Sequence, residues 1–163
     1  MSSFNRRTLL LMPLALAACG FEPVYAPGGS GSALFGRVEV SAPSTVGSFL
    51  LVEDLEQKLG RSATSGSEYS LDVSVVTQTV AASITTTNET NRLTINGTAS
   101  YSLRSNATGQ VVASGTVTDF VGYSAAGSTV STLADERDAT QRLMVILSDQ
   151  IISRLYAAPG LST

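Results

Sequence analysis

The stretch RLTINGTASYSLRS, residues 92–105, decides the fold because apolar and polar residues alternate along its whole length. A period of two predicts a β-strand with one face in the core and the other exposed. Asn-Gly at 96–97 also favours a hairpin turn, but the alternation keeps its phase through it. We therefore predict an unbroken strand with a small residue where another element packs closely. The inward row is Leu93, Ile95, Gly97, Ala99, Tyr101 and Leu103, and the outward row is Arg92, Thr94, Asn96, Thr98, Ser100, Ser102 and Arg104.

Three further strands are predicted around this one. A short strand is expected at 34–40, and a longer one begins at Tyr69 and continues into Thr-rich sequence. Asn106 to Gly109 has the composition of a turn, which leads into a strand over 110–123. Consecutive strands joined by short turns predict antiparallel pairing.

Two segments have the periodicity of amphipathic helices. Residues 48–59 carry Leu51, Val52, Leu55 and Leu59 at helical spacing. A final helix is expected to start near Thr132 and Asp135, which resemble a capping box, and its apolar stripe runs to Leu155. That stripe is open to two interpretations, a lipid groove or a core face, and we favour the core because a four-stranded sheet needs a helical cover. The fold class is therefore α+β, a two-layer sandwich with two helices packed on one face of a four-stranded, mostly antiparallel sheet in the order β-α-β-β-β-α.

The N-terminal segment has the parts of an export signal. Arg6 and Arg7 precede a short apolar run, and Leu16-Ala17-Ala18-Cys19 resembles the bacterial lipoprotein signal. We predict a signal peptide at 1–18, lipidation of Cys19, a flexible Gly/Ser-rich tether at 19–32 and one domain at 33–163. The residue after Cys19 is Gly20, which in lipoproteins is typical of export to the outer membrane, with the domain on its periplasmic side.

The composition excludes several classes of function. The chain has no His and no Trp, and its one Cys is Cys19. Imidazole-dependent nucleophiles and His/Cys zinc sites cannot be built from this inventory, so we expect no metal and no cofactor beyond the covalent lipid. A net charge of −3 argues against nucleic acid. A carboxylate-pair hydrolase stays chemically open, but Glu39, Glu68, Asp72 and Asp119 show no pattern of convergence, and we predict that the protein is not an enzyme.

The residues from Ala18 to Tyr25, the order of elements and the closing helix together resemble the LptE family of lipopolysaccharide-assembly lipoproteins. That resemblance implies a non-enzymatic outer-membrane protein that plugs the LptD β-barrel, helps to assemble it and binds lipopolysaccharide on its way to the cell surface. The alternative function is that of an auxiliary lipoprotein, a binding module of an envelope transport system that enters no barrel.

The resemblance also implies two basic residues that contact lipopolysaccharide. Arg92 matches one family position at the start of the central strand, and Arg137 is the nearest match to a second one near the start of the last helix. Three acids, Asp135, Glu136 and Asp138, surround Arg137. For both arginines the alternative is an ordinary solvated charge.

Overall fold

The alternating strand lies within a four-stranded sheet covered by helices on one face. The structure, a computed structural model, describes residues 29–60, 67–84, 90–125, 128–159 and 161. In chain order the described elements are α1 (Ser30–Leu34), β1 (Val38–Val40), α2 (Val46–Leu59), β2 (Tyr69–Ile84), β3 (Thr90–Ser105), β4 (Val111–Ser124) and α3 (Thr129–Tyr156).

The sheet has the strand order β1-β2-β3-β4 and is mostly antiparallel. β1 pairs with β2 in parallel, since α2 connects them, whereas β2, β3 and β4 form an antiparallel meander. The predicted α+β class is confirmed, with α1 as an additional short helix.

The inward and outward rows of β3 are those predicted from its alternation. Ile95, Gly97, Ala99, Tyr101 and Leu103 are buried, and Arg92 and Arg104 are exposed. The strand runs unbroken through Asn96 and Gly97. A Cβ atom on Gly97 would come within 3.0 Å of Leu143 Cδ2 and of Leu147 Cδ1, so α3 is the element that packs closely there.

Both long helices bury their apolar stripes in one core. Leu143, Leu147, Ile151 and Leu155 of α3 are fully buried, which confirms the core interpretation of that stripe. α3 packs on β4 and, to a lesser extent, on β3, and it also packs against α2. The completely buried side chains of the other elements are Leu34, Leu51, Leu55, Leu71, Ala99, Leu103 and Val117.

A charged contact joins the two long helices at the edge of the core. Lys58 Nζ of α2 lies 2.6 Å from Asp149 Oδ1 of α3 and also contacts Asp54 on its own helix. Burial lowers the pKa of Lys58, but its hydrogen bonds to Asp149 and Asp54 and the charges of both carboxylates outweigh burial, so the pKa lies above its usual value. Lys58 therefore stays protonated and links α2 to α3.

The tether predicted through Ser32 is wrong for its last residues. Ser30–Leu34 forms α1, in which Leu34 is fully buried and the Ser30 hydroxyl donates a 2.6 Å hydrogen bond to the carbonyl oxygen of Tyr156. The Gly/Ser composition predicted flexibility, but these two long-range contacts outweigh it. The strand expected at 34–40 is correspondingly short, because Gly36 makes a turn with φ +72° before β1 begins at Val38.

The predicted starts of both long helices need correction as well. α2 begins two residues earlier than expected, because Thr45 and Ser48 form a reciprocal capping box. α3 begins at Thr129 rather than near Thr132, because the Ser128 side chain accepts a hydrogen bond from the backbone N–H of Ser131. Within the described ranges, no helix has an apolar stretch long enough to cross a bilayer.

The close approach of α3 to Gly97 predicts a steric effect on stability. Gly97→Val should lower the free energy of unfolding by about 1–3 kcal/mol, because the added methyl groups must displace Leu143 and Leu147. The matched control is Gly122→Val in β4, where the nearest atom to a new Cβ is 3.7 Å away and space is sufficient. Urea denaturation of both variants measures the difference, and equal stability of the two would contradict the packing of α3 on Gly97.

Candidate functional site

The outer face of the sheet, opposite the helices, is rich in hydroxyl and amide groups. Asn96 in the outward row of β3 lies between Gln78 of β2 and Phe120 of β4. Phe120 is 66% exposed, although it is the largest apolar side chain on this face. The flanking rows supply Ser74, Val76, Thr94, Thr98, Ser100, Thr116 and Thr118, so charged groups on this face are confined mainly to its ends.

The two edges of the sheet differ in how their backbone groups are protected. On the β4 edge, Arg154 of α3 donates a 2.7 Å hydrogen bond to the backbone carbonyl oxygen of Thr116, and Gln150 donates one of 2.6 Å to the side-chain carboxylate of Asp119. On the β2 edge, β1 and Ser41 pair with the strand only as far as Val73. From residue 74 to 84 this edge contains no charged residue and has no strand partner among the described residues.

A cleft of about 490 Å³ is lined by the start of β3, the end of β4 and the first half of α3. The register Arg92↔Ser124 brings Arg92 to the end of β4. The strands contribute both outward-facing residues and the buried Tyr123, and α3 contributes two aspartates and an arginine. The lining residues are Arg92, Thr94, Phe120, Gly122, Tyr123, Ser124, Asp135, Asp138 and Arg142.

The two arginines of the cleft have different electrostatic surroundings. Arg142 Nε lies 2.9 Å from Asp138 Oδ2 one helical turn away, so its charge is partly compensated. The exposed guanidinium of Arg92 makes no hydrogen bond or ion pair with any residue in the described part of the chain. Arg92 is therefore the cation of this cleft that is available to an external anion.

Tyr123 contributes a neutral phenol to the same cleft. Burial raises its pKa, and the nearby charge of Glu136 raises it further. The hydroxyl therefore stays protonated at physiological pH and can donate a hydrogen bond.

The structure brings Arg92 into the cleft but does not place Arg137 in its lining, where Arg142 lies instead. Arg137 is exposed on α3. Sequence reasoning overlooked Arg142 and Phe120, although both had a signal: Asp138 and Arg142 are four residues apart on a helix, and Phe120 takes an outward position in the alternation of β4. Cys19, the predicted lipidation site, lies outside the described residues.

The architecture and the site can be compared with known proteins. A chain from Caulobacter crescentus that is described as a lipoprotein is 23% identical with a TM-score of 0.66, covering 78% of this chain and 93% of its own. Rare lipoprotein B from Shewanella oneidensis is 9% identical with a TM-score of 0.57, covering 74% of this chain and 92% of its own. A minor lipoprotein from Acinetobacter baumannii is 17% identical with a TM-score of 0.53, with coverages of 74% and 88%. At these identities the similarity shows a shared fold.

Among functionally curated proteins no relative of this chain was found. The lipopolysaccharide-assembly family LptE matches residues 35–155, a span that runs from the end of α1 almost to the end of α3 and contains the whole sheet and the cleft. The match covers well over half of the chain. The chain therefore belongs to the LptE family of lipopolysaccharide-assembly proteins.

Proposed function

We propose that this protein is an outer-membrane lipoprotein, lipidated at Cys19, that binds lipopolysaccharide through Arg92 and plugs and helps to assemble the LptD β-barrel. The observation that carries the proposal is the exposed Arg92 guanidinium, which lines a cleft and has no partner among the described residues. A guanidinium binds a phosphate oxygen pair with two parallel hydrogen bonds, and lipopolysaccharide carries phosphates. Its role is binding rather than catalysis.

The outer face supports the barrel partner. Interiors of outer-membrane barrels are polar. A sheet face of Ser, Thr, Asn and Gln with few charges suits such an environment, because these side chains form hydrogen bonds without a large desolvation penalty. The edge of β2 from residue 74 onward, which has no strand partner among the described residues, offers further backbone donors and acceptors to a partner.

The attachment of α1 supports an arrangement in which the cleft lies away from the lipid. Ser30 is hydrogen-bonded to Tyr156 at the C-terminal end of α3, whereas Asp138 of the cleft is near the other end. At 1.5 Å per residue these two points on α3 are about 27 Å apart. Ser30, the start of the described chain that follows Cys19, therefore lies toward the end of α3 opposite the Arg92 cleft.

The first prediction for this function separates binding from stability. Arg92→Gln should weaken lipopolysaccharide binding roughly ten- to hundredfold, the loss of about 1.5–3 kcal/mol that a charge-assisted hydrogen bond contributes, and should leave the thermal midpoint nearly unchanged. Arg104→Gln is the matched control on the same strand and face. Because Arg104 Nη1 donates a 2.6 Å hydrogen bond to the carbonyl oxygen of Gly109, this variant should lose some stability and retain binding. Equal binding by both variants would contradict a role for Arg92.

The second prediction concerns the anchor. Cys19→Ala should accumulate as an unprocessed precursor, since Cys19 supplies the only thiol of the chain. Ala18→Gly keeps a small residue before the cysteine and should mature normally. Electrophoretic mobility and membrane fractionation distinguish precursor from lipoprotein, and normal maturation of Cys19→Ala would rule out lipidation at this residue.

The third prediction tests the barrel partner. Depletion of the protein should lower the amounts of assembled LptD and of surface lipopolysaccharide. Re-expression of Arg92→Gln should restore the barrel, because the Ser, Thr, Asn and Gln side chains of the outer face are unchanged, but not full lipopolysaccharide export. Barrel and lipopolysaccharide levels that stay normal on depletion would favour an auxiliary lipoprotein of another envelope transport system.

A further inference from the structure

The cleft contains an exposed aromatic ring next to a glycine, which has no side chain, on the same strand. Phe120 projects from β4 at 66% exposure, and Gly122 occupies the next outward position on the same strand. Both residues line the cleft together with Arg92. An exposed phenyl ring costs hydration free energy and offers a flat apolar surface to a ligand.

Packing does not explain the glycine at position 122. A Cβ on Gly97 would crowd Leu143 and Leu147, and one on Gly115 would come within 2.9 Å of the Tyr101 hydroxyl oxygen. At Gly122 the nearest atom to a new Cβ is Leu93 O at 3.7 Å, an ordinary contact, and its φ is not positive. Since glycine weakens a strand, an unforced glycine here leaves a notch beside Phe120 that a ligand can enter.

The charged residues that line the cleft are two arginines and two aspartates, so their formal charges balance. Arg142 is paired with Asp138, so the groups without an ion-pair partner among the described residues are the cation Arg92 and the carboxylate of Asp135. A guanidinium binds a phosphate, whereas a carboxylate only accepts hydrogen bonds and repels a second phosphate. Hydroxyl groups are suitable donors to such a carboxylate.

We propose that the cleft binds one phosphorylated sugar residue, with its phosphate on Arg92, its ring in the Gly122 notch against Phe120 and its hydroxyl groups directed to Asp135. The inference rests on the proposed function and deepens it, because it names the part of the lipopolysaccharide that this site contacts. A ring with one phosphate is preferred over a ring with two, because the carboxylates of Asp135 and Asp138 also line the cleft and repel a second phosphate. The same chemistry is present in a water-soluble sugar phosphate and in a lipid-linked one.

The first test measures ligand chemistry with the purified full-length protein. Glucose 1-phosphate, glucose, inorganic phosphate and glucose 1,6-bisphosphate are titrated, and binding is followed by NMR through the amide signal of Gly122. Glucose 1-phosphate should bind at least tenfold more tightly than glucose or phosphate alone and no more weakly than the bisphosphate. Inorganic phosphate binding as tightly as glucose 1-phosphate would overturn the proposal in favour of a simple anion site.

The second test uses variants that alter the notch and the ring. Gly122→Thr fills the notch with a residue that suits a strand, and Phe120→Ala removes the ring; each should weaken glucose 1-phosphate binding at least tenfold. Ser114→Thr, on the same outward row of β4 but outside the cleft, is the control and should bind normally. Thermal midpoints near that of the unmodified protein verify folding. Unchanged binding by both cleft variants would overturn the proposal.

Binding of lipopolysaccharide by the same variants identifies the source of the sugar phosphate. Loss of both ligands supports a lipid-linked sugar, and loss of glucose 1-phosphate alone supports a water-soluble one. If Arg92→Gln loses lipopolysaccharide while Phe120→Ala and Gly122→Thr keep both ligands, the sugar inference fails and the proposed function survives. If the unmodified protein binds glucose 1-phosphate but not lipopolysaccharide, the sugar site stands and the proposed function fails.

Discussion

The contact of Leu143 and Leu147 with the bare backbone at Gly97 holds α3 against the centre of the sheet. A larger residue at 97 would push the helix away from β3, and a one-residue slip of β3 would exchange its inward and outward rows. The burial of Ile95, Ala99, Tyr101 and Leu103, the exposure of Arg92 and the polarity of the outer face all follow from this one register.

The same helix builds the candidate site. Its C-terminal half buries Leu143, Leu147, Ile151 and Leu155, whereas Asp135, Asp138 and Arg142 lie near its N-terminal half and form a wall of the cleft. Because α3 is anchored by its buried stripe, the position of the acidic wall relative to Arg92 is set by core packing. The placement of the site thus depends on buried residues that do not line the cleft.

The long helix also separates the start of the described chain from the cleft. Ser30 ties the N-terminal part of the described chain to Tyr156, and the cleft lies toward the opposite end of α3. On the β4 edge of the sheet, Arg154 and Gln150 form hydrogen bonds with a backbone carbonyl and a carboxylate. The β2 edge has no strand partner from residue 74 onward in the described part of the chain. Within the described residues, side chains of α3 therefore cover one edge of the sheet, and the other edge has no partner strand beyond Val73.

The sequence by itself determined the α+β class, both faces of β3 and the buried stripes of the two long helices, because strict periods of 2 and 3.6 state which side of each element avoids water. It also predicted that β3 continues through Asn-Gly at 96–97 and that another element packs closely on the small residue there, because the alternation keeps its phase across this pair. Only the tertiary structure decided that Ser30 to Leu34 is helical, since Leu34 burial and the hydrogen bond to Tyr156 link residues far apart in the chain. The tertiary structure also decided the composition of the cleft, because Arg92, Phe120 and Arg142 come from three different elements. Arg142 rather than Arg137 lines the cleft, because the buried stripe sets the rotation of α3 about its axis.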